Sequence, residues 1–165
     1  MAHDTRRSCA RSSGLPRSVV SVYLIIDTST RYGAAGLWVG GALVRAHLWY
    51  SKNNHTAELM PAIDGALQAE GVTLSHLKGI AVSHGPGGFS GLRVGIGVVK
   101  GLAFASGLPV VGVSTLEASA YPHRGAGMAV CAMIASGHGV VAWARFQEAD
   151  GWRRRTPDRI TSVER

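Results

Sequence analysis

Residues 20–50 read VSVYLIIDTSTRYGAAGLWVGGALVRAHLWY, and this stretch decides the fold. Three short runs rich in apolar and β-branched residues follow one another, Val20–Ile26, Gly33–Val39 and Ala42–Tyr50, which predicts three successive strands. Gly40-Gly41 is a two-residue connection of the kind that demands positive φ, so the second and third strands form a hairpin. The pattern then returns as Met128–Ile134, Val140–Phe146 and, after a turn at Asp150-Gly151, a strand start at Trp152. Ile26-Asp27 matches Ile134-Ala135 at a separation of about 108 residues, the mark of an internal repeat. Two copies of a strand meander with helices between them predict a duplicated α/β fold built on a mixed sheet. The second copy stops at Arg165, before any helices of its own, which implies a truncated or reduced second lobe.

Between the copies the period changes to helical. Asn53 and Asn54 offer an N-cap, Leu59, Ile63, Ala66 and Leu67 fall on one face, and Gly71 is the C-terminal stop. Pro61 should bend this helix or start it late. Gly79–Val82 reads as a buried strand, followed by a glycine-rich loop from Ser83 to Gly91 and a helix from about Ser90 to Ser106 closed by Gly107 and Pro109. Pro109–Val113 is the next strand, and Ser114 with Glu117 forms a capping box for a third helix ending near Tyr121. The expected organisation is a disordered basic tail over 1–18, a first lobe over 19–122 and the beginning of a second over 123–165.

A chain of 165 residues with 46% hydrophobic content is long enough for one compact domain or slightly more. The net charge of +7 is concentrated at the ends: residues 1–18 carry four Arg against Asp4, and residues 150–165 carry five Arg against Asp150, Asp158 and Glu164. The middle holds eight basic and six acidic residues, a net of +2, so the excess reads as solvated termini rather than a nucleic-acid stripe. Every hydrophobic stretch is interrupted short of the roughly 20 residues needed to span a bilayer, so no membrane association is expected. Cys9 and Cys131 stand apart from each other and from any metal-ligand spacing, which fits a reduced, cytoplasmic compartment.

Two features could carry chemistry. Asp27, Thr28 and Ser29 at a strand-to-strand turn could hold phosphate oxygens or Mg²⁺, or could satisfy the backbone of their own turn. The glycine-rich loop places Gly85, Gly87, Gly88, Ser90 and Arg93 around a helix N-terminus suited to an anion, yet it lacks a P-loop Gly-Lys-Ser/Thr and its GxGxxxG spacing is not a dinucleotide fingerprint. Within the following helix, Gly91, Gly95, Gly97 and Gly101 each cost about 1 kcal/mol relative to Ala. Close approach of another element, from this chain or a partner, must offset that penalty. The His residues show no metal-ligand pair at i, i+4, and Ser83-His84 point to opposite sides of a strand, so neither a metal nor a catalytic residue is expected.

Four motifs in order, Leu24-Ile25-Ile26-Asp27-Thr28-Ser29-Thr30, His55-Thr56 with Leu59-Met60-Pro61, Gly85-Pro86-Gly87-Gly88-Phe89-Ser90-Gly91-Leu92-Arg93-Val94-Gly95 and Gly112-Val113-Ser114-Thr115-Leu116, resemble the TsaB (YeaZ) family. The resemblance covers about residues 22–146 and implies the duplicated fold of actin-like, Hsp70-like and sugar-kinase-like ATPases, related to ribonuclease H. It implies a non-catalytic scaffold that pairs with its paralogue TsaD, assisted by the ATPase TsaE, in threonylcarbamoyl transfer to the adenosine next to the anticodon of tRNA. The chain would reach tRNA only through the complex, and ATP or ADP would sit at the TsaD interface rather than on this chain alone. The paralogue's metal-binding histidine pair is reduced here to His55. The same resemblance assigns the partner interface to the two helices, through Leu59, Ile63, Leu67, Gly91, Gly95, Val98 and Leu102, with homodimers through the same surface. Gly88, Ser90, Ala135-Ser136 and Gly139-Val140 depart from the family's usual residues; the loop shape is kept, but a nucleotide contact from the second lobe is weakened. The competing readings are a phosphotransferase or ATPase of this fold using Asp27 and Gly87, and a metal-dependent glycoprotease homologue.

Overall fold

The computed structural model describes residues 20–52, 54–137 and 139–162. The tail expected over 1–18, the Asn53 cap, Cys9, His3 and His138 lie outside these residues. The chain forms β1 (Val22–Asp27), β2 (Tyr32–Val39), β3 (Ala42–Tyr50), α1 (His55–Ala69), β4 (Leu77–Gly85), α2 (Phe89–Ser106), β5 (Val110–Ser114) and α3 (Thr115–Ala120). Then come β6 (Val130–Ala135), β7 (Val140–Glu148), β8 (Trp152–Arg154) and β9 (Arg159–Ser162).

The first five strands form one sheet in the order β3-β2-β1-β4-β5. β1, β2 and β3 are antiparallel neighbours, whereas β1–β4 and β4–β5 are parallel and need α1 and α2 as crossovers. Gly40 and Gly41 both take positive φ, 59° and 93°, as the two-residue hairpin requires. Alternation along β1 buries Val22, Leu24 and Ile26 under α1 and α2 and leaves Tyr23 and Ile25 on the other face. The core is the layer between the helices and this inner face, where Leu24, Ile26, Leu37, Leu59, Ile63, Ile80 and Val99 meet. Gly71 ends α1 in a Schellman motif: its amide donates to the Gln68 carbonyl and the Val72 amide to that of Leu67. Pro61 neither delays nor divides α1, which runs unbroken from His55. The Asn54 carbonyl, rather than its side chain, accepts the Ala57 and Glu58 amides.

The second meander forms its own sheet, with β6 beside β7 and both β8 and β9 on the far edge of β7. β8 pairs with Phe146–Glu148 and β9 with Val140–Trp143, so together they occupy the place of β3 in the first copy, broken at residues 155–158. Pro157 cannot donate to a ladder, and the gap is bridged by the Arg155 amide donating to the Arg145 carbonyl and the Arg145 amide donating to Thr156 Oγ1. The C-terminal residues expected to be a solvated tail are thus in part a paired strand. α3 covers one face of this sheet, where Leu116 and Ala120 pack on Ala132, Ala144 and Phe146.

Candidate functional site: the turn after the first strand and the helix pair

The turn after β1 is closed by its own polar groups. Asp27 Oδ1 accepts the Ser29 amide at 2.8 Å and the Ser83 hydroxyl of β4 at 2.6 Å. The first is an Asx-type turn, and the second fixes the carboxylate against the neighbouring parallel strand. Thr28 Oγ1 donates to the Gly91 carbonyl in the first turn of α2 at 2.8 Å, and the Gly88 amide donates to the Ser29 carbonyl at 2.7 Å. Thr28 and Ser29 are fully buried as a result.

The glycines explain how the loop can lie so close. A Cβ at Gly87 would fall 2.3 Å from the Ser29 carbonyl oxygen, one at Gly91 2.2 Å from that of Thr28, and one at Gly95 2.3 Å from Thr28 Oγ1. None of these fits without moving backbone or a buried hydroxyl. The structure therefore brings together Asp27, Thr28, Ser29, Gly87 and Gly88 of the expected phosphate group. Ser90 and Arg93 stand apart on the exposed side, where the Arg93 guanidinium lies over the Phe89 ring. The amides of Ser29 and Gly88, which a phosphate would use, are engaged by Asp27 and the Ser29 carbonyl. Gly85 takes a φ of 111° and aims its vacant side at the Leu92 side chain.

His55 opens α1 beside this turn. Its Nε2 donates to the Thr30 carbonyl at 3.0 Å, which leaves Nδ1 as a bare acceptor, buried and without a partner, as is Ser29 Oγ. Ser83, dismissed with His84 as a catalytic pair, proves to be an anchor: it is buried on Asp27, while His84 projects from the opposite face beside Gly112. Its sequence signal was weak, because the partner lies 56 residues away.

The interface expected on the helices needs correction at the level of side chains. Leu59 and Ile63 are 0% and 1% exposed and Leu67 is buried, all within the core, and Gly91 and Gly95 face Thr28. An apolar period of i, i+4 marks the face a helix turns to its own sheet before it marks any partner. Val98 and Leu102 are half-buried, and Leu102 lines a groove of about 470 Å³ with Met60, Leu67, Val72 and Leu74. One face further round α2, Gly97 and Gly101 have open space where a Cβ would be, and Phe104 is 94% exposed. α2 is mostly apolar, with Arg93 and Lys100 its two charged residues, and only Gly91, Gly95 and Val99 are buried.

A sheet of order 3-2-1-4-5 with a latched β1 turn, followed by a second meander, defines a protein of the actin-like ATPase fold. A family model described as TsaD, tRNA N6-adenosine threonylcarbamoyltransferase, matches residues 50–163. The tRNA threonylcarbamoyladenosine biosynthesis protein TsaB of Escherichia coli is 36% identical over 126 residues, 75% of this chain and 54% of the relative. Its counterpart in Haemophilus influenzae is 38% identical over 98 residues, 59% of this chain and 41% of the relative. The structure of YeaZ from Pseudomonas aeruginosa superposes with a TM-score of 0.77 at 34% identity, over 88% of this chain and 69% of that one. The chain belongs to the TsaB (YeaZ) family. It spans about half the length of the curated relatives it matches.

Proposed function

We propose that this chain serves tRNA threonylcarbamoyladenosine biosynthesis as a non-catalytic scaffold that docks a TsaD-type transferase on the outer surface of α1 and α2. The observation that carries this reading is the open apolar helix surface. Phe104 is exposed on the same α2 face as Gly97 and Gly101, which are one turn apart and admit a close neighbour, while Met60 and half-buried Leu102 line the groove between α1 and α2. Helix docking reads its contacts at i, i+3, i+4 and i+7, the spacing of Gly97, Gly101 and Phe104. The names of the curated relatives supply the pathway, and the match to the transferase family model supports a paralogous partner of similar shape. On this reading catalysis, and any ATP or ADP at the joint interface, belongs to the partner side, with a TsaE-type ATPase joining the pair in the cytoplasm. The internal engagement of the Asp27–Ser29 turn favours the scaffold over a phosphotransferase. A homodimer would compete for the same surface.

The test is light scattering after size exclusion of this chain with a TsaD-type protein from the same source. A joint species is expected, and Phe104→Asp should weaken it at least tenfold, because a fully exposed aromatic anchor is lost without touching the core. Separate peaks for the unaltered pair, or a joint species indifferent to Phe104→Asp, would reject this surface.

A further inference from the structure

The sheet of β6–β9 has one face closed by α3, and its other face is uncovered among the described residues. Because side chains alternate along a strand, the register assigns each residue to a face. Ala132, Ala144 and Phe146 point inward. Cys131 then lies opposite Arg145, Met133 opposite Trp143, Gln147 opposite Arg153 and Trp143 opposite Arg159, all on the outer face. Three arginines, Arg145, Arg153 and Arg159, therefore share that face with one tryptophan. Arg153 and Arg159 are the two diagonal neighbours of Arg145, at a typical spacing of about 7–8 Å.

The carboxylates of this region are directed elsewhere. Glu148 faces Trp152 on the inner side. Asp158 pairs with Arg154, whose guanidinium lies over Phe146 on that same inner side. Three like charges thus stand well within a screening length of about 10 Å at 0.1 M salt, with no acidic residue at a strand position of their face among the described residues, Asp150 lying in the β7–β8 turn. Such a grouping concentrates positive potential on this face and favours a bound anion. Trp143 is anchored among them: its Nε1 donates to Thr161 Oγ1 at 2.9 Å, and the Arg159 guanidinium lies 5.7 Å from its ring centre. Guanidinium groups alternating with an aromatic ring on a sheet face suit a polymer that carries both phosphates and flat bases.

We propose that the outer face of β6–β9, through Arg145, Arg153, Arg159 and Trp143, binds the sugar-phosphate backbone of RNA directly. Arginines contact phosphates, and the tryptophan stacks on a base. The site lies on different elements from the helix surface assigned to the partner, so the two readings fail independently.

Fluorescence anisotropy of the full chain with end-labelled mixed tRNA, between 50 and 200 mM KCl, tests this. The combined variant Arg145→Gln, Arg153→Gln, Arg159→Gln should bind at least tenfold more weakly at 50 mM. Its plot of log affinity against log salt should flatten by about 2 to 3, at roughly 0.7 to 0.9 per phosphate contact. Arg31→Gln, Lys78→Gln, Arg124→Gln removes the same three charges elsewhere and should leave both quantities nearly unchanged. Trp143→Leu should weaken binding to an oligouridine several-fold without altering the slope. Far-UV circular dichroism checks that each variant is folded. Equal losses in the two triple variants, no measurable binding of tRNA at 50 mM, or binding of polyglutamate in preference to RNA would overturn the assignment, the last by making the face a site for an acidic protein.

Discussion

Replacing Gly91 and Gly97 one at a time by alanine should move stability in opposite directions, although both lie within the same helix. The helical propensity of alanine favours each change by about 1 kcal/mol. At Gly97 nothing lies within 4 Å of the new methyl, so the gain is kept in full, and a rise of about 2–4 °C in Tm is expected for a chain of this size. At Gly91 the methyl would stand 2.2 Å from the Thr28 carbonyl oxygen and 3.2 Å from the His55 ring. Overpacking costs about 1–3 kcal/mol. Displacing α2 also breaks the 2.8 Å Thr28–Gly91 hydrogen bond, and a buried hydroxyl left unpaired costs about 1–3 kcal/mol more. The net loss is about 1–5 kcal/mol, a substantial share of the roughly 5–15 kcal/mol margin of a typical domain. Urea and thermal unfolding followed by circular dichroism measure both variants. If Gly91→Ala were as stable as Gly97→Ala, the account of the glycines as close-contact residues would be wrong.

Two further substitutions examine the same turn. Ser29→Ala removes a buried hydroxyl that has no partner, and should be neutral or raise stability by up to about 1–3 kcal/mol; a clear loss of stability would show that the hydroxyl is satisfied in solution. Asp27→Ala removes the acceptor of two hydrogen bonds and should lower stability by about 1.5–3 kcal/mol, whereas Asp27→Asn, which keeps one side-chain oxygen, should lose less. Equal losses for the two Asp27 variants in urea titrations would refute the hydrogen-bonding account.

Much of the fold was legible because local signals and global topology agree. The Gly40-Gly41 hairpin, the stop at Gly71 and the cap of α3, where Ser114 Oγ accepts the Glu117 amide, are each set by a few neighbouring residues. What remained hidden depends on partners distant in the chain. No pattern near Asp27 points to Ser83, and nothing distinguishes Gly91 and Gly95 from Gly97 and Gly101 until α2 is laid against the Thr28 turn. The apolar stripe of Leu59, Ile63 and Leu67 was visible, but periodicity alone does not say whether the covering surface is the chain's own sheet or another molecule. β9 was missed because Arg159–Ser162 has little apolar character and follows Pro157; backbone pairing with β7 makes it a strand. For the same reason the C-terminal arginines looked like a diffuse solvated end, when pairing gathers two of them, Arg153 and Arg159, on one face with Arg145.

The bond from Thr28 to the Gly91 carbonyl joins residues 63 apart, and that from Ser83 to Asp27 joins residues 56 apart. The antiparallel ribbon of β1 to β3 can assemble from near neighbours, but these two contacts must wait until α1 has crossed over and β4 has found β1. We predict that they form late, with φ-values near zero for Thr28→Val and Ser83→Ala in chevron analysis; values near one would refute it. On that expectation their strength governs how slowly the native chain opens more than how quickly it folds, and the turn acts as a kinetic clasp on the lobe.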